Sequence, residues 1–148
     1  MKEIQYWHMQ IHPTDTSFAE ENVHSILEHK KIIGLGDWEA GKETIASFKN
    51  TMKVNDVVAI KTGKSLVALV QVIGGWYEVR DDNSKTCWII YRRPIRVLDW
   101  ATKNETIPHA LGTLNQCVTD DAPTTKIIKT WHSQIETLYT KRKLDIYV

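Results

Sequence analysis

The chain has 148 residues, 42% of them hydrophobic, which suffices for one core of ordinary size and sets the expectation of a single domain over 1–148. Basic and acidic residues nearly cancel, to a formal charge of +1, which excludes a global field able to hold any polyanion; such a partner would need a local patch. Cys87 and Cys117, without CxxC spacing, exclude a disulfide framework and read as partly buried free thiols of a reducing compartment.

Ile4 to Ile11 places Tyr6, His8 and Gln10 on one side and Trp7, Met9 and Ile11 on the other, which predicts a strand ended by Pro13. Ser17 and Glu20 have capping-box spacing, and Phe18, Val23, Ile26 and Leu27 form a helical stripe running to about Lys31, stopped by Gly34 and Gly36. Asp37 or Gly41 can start a second helix that buries Ile45, Phe48 and Met52 and ends before Asn55-Asp56. Asp56 to Lys61 and Ser65 to Gly75 read as two strands around Thr62-Gly-Lys64, and the second, apolar on both faces, as a central barrel strand.

The polar turn Arg80 to Lys85 leads into a predicted strand, Thr86 to Arg92, and Pro94 to Trp100 continues it as a bent or edge strand, because proline cannot donate to a ladder. Pro108, Gly112 and Pro123 interrupt the stretch from Ala101 to Thr125, leaving room for a short helix around Leu111 to Val118. Ile127, Ile128, Trp131, Ile135 and Leu138 form the stripe of a last helix, followed by the basic Lys141 to Lys143 and a terminal strand Leu144 to Val148. No run of about 18 apolar residues occurs, and Met-Lys-Glu leads straight into a strand pattern, so the expectation is a cytoplasmic protein without a membrane partner.

Aromatic residues sit beside glycines at two turns, Ile33-Gly-Leu-Gly-Asp-Trp38 and Gly74-Gly-Trp-Tyr77. A tryptophan where the backbone turns can wall a pocket and stack on a planar ligand such as a nucleobase. In the first turn, glycines let backbone groups approach a base, and Asp37 can accept from an exocyclic amine; equally, Gly34 can be a helix-terminal residue and Asp37 a cap.

In its order of elements, with the phrase Lys53-Val-Asn-Asp56, the strand Val57 to Ile60 and the run Leu66 to Tyr77, the chain from about residue 4 to 100 resembles the EVE-type domains of the PUA-like superfamily, relatives of the YTH readers. The resemblance implies an α+β fold, a small PUA-like β-barrel of five to six strands flanked by about three helices. It also implies binding of a modified, methylated base flipped into an aromatic cage, as in the DNA-reading modules of McrB-like restriction systems. Ile33, Gly34, Leu35, Gly36, Asp37 and Trp38 would form the pocket loop, with Trp7, Trp76 and Tyr77 as further walls. A motor or nuclease, fused or separate, would be the partner.

Phosphate contacts would come from Lys61 and Lys64, from Arg92, Arg93 and Arg96 around Pro94, and from Lys126 and Lys129 on the last helix; the arginines can instead be a solvated strand edge. Trp88 and Trp131 read as core. No HExxH, paired-cysteine, P-loop or dinucleotide pattern is present, so no cofactor, metal or catalytic residue is expected. Three other readings stay open: an RNA reader on the same barrel, a small ASCH-like hydrolase using His8 or His12 with Asp37 or Glu39, and a protein-interaction domain with structural tryptophans.

Overall fold

Alternation in the first strand becomes a division between two layers, as seen in a computed structural model that describes residues 4–11, 22–62, 65–102, 106–107, 113–118 and 120–141. In β1 (Tyr6–Gln10), Trp7 and Met9 enter one core and Tyr6 faces the other. β1 pairs parallel with β3 (Val57–Thr62), which pairs antiparallel with β4 (Ser65–Val72). β4 is buried along almost its whole length, as its two-sided apolar sequence predicts. It pairs with β6 (Tyr91–Trp100), and β6 with both β2 (Ile32–Leu35) and β5 (Tyr77–Glu78). With β7 (Leu114–Gln116) on the far side of β1, the sheet has seven strands in the order β2-β6-β4-β3-β1-β7, with β5 beside β6.

One sheet face curls around Trp7, Met9, Ile33, Val58, Ile60 and Val70, closed by two helices. The first, α1, is helical from residue 22 and ends in the π-helical turn Ile26–Lys30, burying Val23, Ile26 and Leu27. The second, α2 (Lys42–Ala46), follows a 3-10 turn, Glu39–Gly41, and continues as the π-helical turn Ser47–Thr51, so that Ile45, Phe48 and Met52 are buried as predicted. The other face is covered by α3 (Pro123–Lys141), whose Ile128, Trp131 and Ile135 pack on Val57, Ala59, Leu69 and Leu98. The result is a small α+β barrel, as the resemblance implies. No helix among the described residues is long and apolar enough to cross a membrane.

Several expectations are corrected. α1 is stopped at Lys31, which takes the left-handed conformation (φ 55°) and donates its N–H to the Ile26 carbonyl, not at Gly34. Ile32 to Leu35 is then a strand rather than a loop. Gly34 is required there by proximity: a Cβ would lie 2.2 Å from Ile89 Cγ2 and 2.5 Å from the Tyr91 carbonyl oxygen. Thr86 to Ile90 is not a strand, because Asp82 gathers the Ser84 N–H and the hydroxyls of Ser84 and Thr86, winding the segment into a turn.

β6 is not at an edge, since it pairs with β2, β4 and β5, and its irregularity lies away from the proline, where its register to β4 slips by one residue at Leu98. Ile73 N–H donates to the Pro94 carbonyl, so the missing proline N–H faces the gap where the chain passes from β4 to β5, and the Pro94 ring packs on Gly74. Residues 114–116 are strand, not helix, because Asn115 and its neighbours pair with β1. Cys87 is exposed rather than partly buried, and Leu138 of the last stripe is exposed as well. Pro13, the Ser17/Glu20 cap, Phe18, Gly63, Lys64, Pro108, Gly112, Arg142, Lys143 and the segment 144–148 lie outside the described residues.

Candidate nucleic-acid interface

β6 carries β2 on one edge and β5 on the other, so Tyr91 is paired with Leu35 on one side and with Glu78 on the other. This pairing brings the two glycine-aromatic segments to one end of the barrel, although they are some forty positions apart in the chain. Trp38, Trp76 and Tyr77 emerge there 37%, 40% and 41% exposed, unusually open for side chains of that size. Trp76 stands edge-on to Tyr91, with centroids 6.3 Å apart and planes at 70°. The Lys49 ammonium lies over both rings, 4.4 Å from the Trp76 centroid and 4.1 Å from that of Tyr91.

A polar rim adjoins these rings. Arg80 donates to Asp37 at 2.9 Å, to Glu78 at 2.6 Å and, at 3.4 Å, to the Tyr91 hydroxyl. The Arg80 hydrogen bond holds the Asp37 carboxyl below the usual carboxylate range, and the two acids raise the Arg80 guanidinium still higher. Burial, then the Asp37 charge, raises the Tyr91 hydroxyl, so that it stays a neutral donor and acceptor. The rim thus offers flat apolar faces, one acceptor cluster and two cations within a small area.

Beneath it, Arg93 joins the walls. Its guanidinium donates to the carbonyls of Phe48, Lys49 and Met52 at the end of α2 and to that of Gly74 before Trp76. Burial lowers its pKa, yet every donated bond goes to a fixed carbonyl.

The fold so built has solved counterparts. No protein-family model and no curated protein matches the sequence. Among solved structures, the chain is similar to a hypothetical protein from Leishmania major (12% identity, 89% of this chain and 97% of that one, TM-score 0.52). It is also similar to the YTH domain of a Zygosaccharomyces rouxii protein in complex with N6-methyladenosine RNA (7% identity, 91% and 88%, TM-score 0.50). A third is a protein from Pseudomonas putida (10% identity, 88% and 98%, TM-score 0.50). The chain shares its fold with a YTH domain.

Of the residues expected at the pocket, Gly36, Asp37, Trp38, Trp76 and Tyr77 reach this end of the barrel, while Ile33, Gly34 and Leu35 are the buried strand beneath it. Trp38 folds back over Gly41 and makes no ring contact with Trp76 or Tyr77, so the aromatic side chains line a mouth without forming a closed cage. Trp7 is not a wall. It is 1% exposed and its indole donates at 3.0 Å to Asp56, which also accepts from the Gln5 backbone, the Gln5 side chain and the Lys53 N–H. The Lys53-Val-Asn-Asp56 phrase therefore has a structural task, tying β1 to the start of β3.

The expected phosphate-binding cations are placed otherwise. Arg92 and Arg93 are buried, Arg92 holding Asp82 at 2.7 Å and the carbonyls of Thr86 and Ile89, so no surface cluster forms around Pro94. Arg96 donates to Gln71 at 2.7 Å on the sheet. Lys61 is wholly buried, with its ammonium 2.8 Å from His8 Nδ1. Burial lowers Lys61 to about 8, and burial with the Lys61 charge lowers His8 to about 4, so the lysine donates and the neutral imidazole accepts. Lys126 and Lys129 stand on α3, which covers the opposite sheet face, and Lys129 pairs with Asp120 at 2.6 Å. Lys64 lies outside the described residues.

Lys49, Arg80 and Tyr91 were missed at the mouth. Arg80 carried one signal, following Trp76 and Tyr77 by a few residues, but Lys49 and Tyr91 look like ordinary members of a helix and a strand. Trp88 and Trp131 pack as core, Trp131 donating to Asp99 at 2.6 Å. Among the described residues no group of His, Cys, Asp or Glu is placed to hold a metal.

Proposed function

We propose that this domain binds a methylated base flipped out of duplex DNA at the mouth around Tyr91, as an EVE-type reader that supplies specificity to a restriction or related system. The observation that carries the reading is that Tyr77 on β5 and Trp76 just before it stand exposed, joined through Arg80 to Asp37 next to the exposed Trp38, on a barrel whose fold is shared with a domain solved on methylated RNA. Flipping forfeits stacking and pairing of a few kcal/mol, which ring faces and a polar rim have to restore. Trp76 supplies an exposed face, backed by the edge-on and buried Tyr91 ring, while Asp37 and Arg80 supply an acceptor and a donor for the base edge. A methyl group adds roughly 0.8 kcal/mol when a close-fitting apolar surface covers it.

RNA is the second reading, favoured by the N6-methyladenosine RNA in the Zygosaccharomyces rouxii complex. Fluorescence-anisotropy titrations at one fixed salt concentration separate the two, using matched DNA duplexes and RNA strands that are unmodified, cytosine-methylated or adenine-methylated. Binding that requires methylated DNA and is lost in Trp76→Ala and Trp38→Ala supports the proposal. A preference for methylated RNA replaces DNA with RNA, and equal, feeble binding to every probe rejects a base reader.

A further inference from the structure

We propose that Lys49 restricts the mouth to bases carried on a phosphodiester chain. The inference rests on the base-reading function above and adds a specificity-determining residue to it.

The position of Lys49 is set from below. Its neighbour Phe48 is fully buried, and its carbonyl accepts from Arg93 at 3.1 Å, so the side chain starts from a fixed point at the end of α2. From there the ammonium fills the angle between the Trp76 and Tyr91 rings. Lys42 and Lys129 are paired with the carboxylates of Glu39 and Asp120, whereas among the described residues Lys49 makes no such ion pair. Two ring faces hold it.

Tyr91 is buried, so the open face is that of Trp76, and a neutral base cannot stack on it while the ammonium covers it. A free nucleoside must therefore push the cation into water and offers it nothing in return. A nucleotide within a chain brings flanking phosphates, onto which the ammonium can move with a charge-assisted hydrogen bond. The same lysine thus opposes a bare base and favours one on a backbone. Arg93, which accounts for the fixed Lys49 carbonyl, also donates to the Gly74 carbonyl at 3.2 Å and so links the backbone beneath Lys49 to the segment that carries Trp76.

The test is Lys49→Met in the full chain, titrated against the deoxynucleosides of N6-methyladenine and 5-methylcytosine and against duplexes carrying the same bases. The variant should bind the nucleoside roughly two- to fivefold tighter, the factor set by releasing an exposed cation–π contact. It should bind the duplex more weakly, with a log–log salt slope shallower by about 0.9, the loss of one phosphate contact. In the wild-type protein, ring currents should shift the Lys49 ε-methylene protons upfield, and saturating duplex should return them to the free-lysine position. Nucleoside and duplex affinities moving in the same direction, or ε-protons that stay upfield in the bound state, would overturn the role of Lys49 alone. No binding of any methylated duplex or methylated RNA strand by either protein would overturn the base-reading function and this role with it.

Discussion

The interior around β1 and β3 and the mouth around Tyr91 treat charge in opposite ways. In the interior, the prominent polar groups are buried and answered: Asp56 by four donors from Gln5, Trp7 and Lys53, Lys61 by His8. At the mouth, Arg80, Asp37 and Glu78 are paired but about half-exposed, and Lys49 rests on rings. Exposed ion pairs and cation–π contacts are each worth about 1 kcal/mol or less, so a ligand can exchange them at little cost. Buried networks cannot be exchanged without unfolding. Stability and binding should therefore respond to different substitutions.

The contrast breaks most visibly at Asp56. Asp56→Ala leaves the Trp7 indole and two backbone N–H groups without their acceptor inside the fold, and should destabilise by about 3–5 kcal/mol in denaturant melts. A loss below about 1 kcal/mol would show that the hub is not what joins β1 to β3.

Next in size is the buried Lys61–His8 pair, which predicts how stability varies with pH. Lys61 falls to about 8 from 10.5 on folding, so the unfolded chain takes up its proton first. Its contribution is complete above 10.5, is lost as pH falls to about 8, and amounts to roughly 3 kcal/mol. His8 adds a second loss as pH falls from 6.5 towards 4. Lys61→Met should abolish the alkaline rise between pH 8 and 10.5 in thermal melts and shrink the acid limb without removing it, because burial is the larger cause of the His8 shift. An unchanged alkaline rise would assign it to another group.

These interior networks also explain what could be read from the sequence. Periodicity identified β1, β3, β4 and the stripes of α2 and α3, because burial on one or both faces leaves its mark in every turn or alternate residue. Pairing leaves no such mark. Gly34 looks like a helix stop because glycine's reason for being there, contact with Ile89 and Tyr91, lies more than fifty positions away. Arg92 and Arg93 look like surface charge because the sequence shows a cation and not the carbonyls it will meet. The three-residue β7 exists only through its partner β1. At the mouth, the glycine-aromatic phrases pointed to Trp38, Trp76 and Tyr77, whereas Lys49 and Tyr91 join them only through the β2-β6-β5 pairing.

At the mouth the expected response reverses. Trp76→Ala removes an exposed ring and its edge contact with Tyr91, which should change stability by less than about 1 kcal/mol. The same change should weaken binding to a methylated duplex by about 1–3 kcal/mol, the worth of one stacked base, which is roughly 5- to 150-fold. A large loss of stability with little loss of binding would make Trp76 part of the frame and dissolve the contrast.

The smallest effect on stability, and the sharpest test of the mouth, comes from Gly41. A Cβ built there would lie 2.0–2.5 Å from the Trp38 ring, so Gly41→Ala has to move the indole. The backbone itself accepts alanine, since φ is −100°, although at the residue that caps α2 alanine is the poorer choice. The strain is relieved by rotating a side chain already 37% exposed, so the melting temperature should fall only slightly. The tryptophan emission should shift as Trp38 leaves the surface of α2. If Trp38 closes over a flipped base, discrimination between methylated and unmodified duplex changes with it. If discrimination stays the same while the emission shifts, Trp38 only covers Gly41, and the stacking surface around Trp76 does not include it.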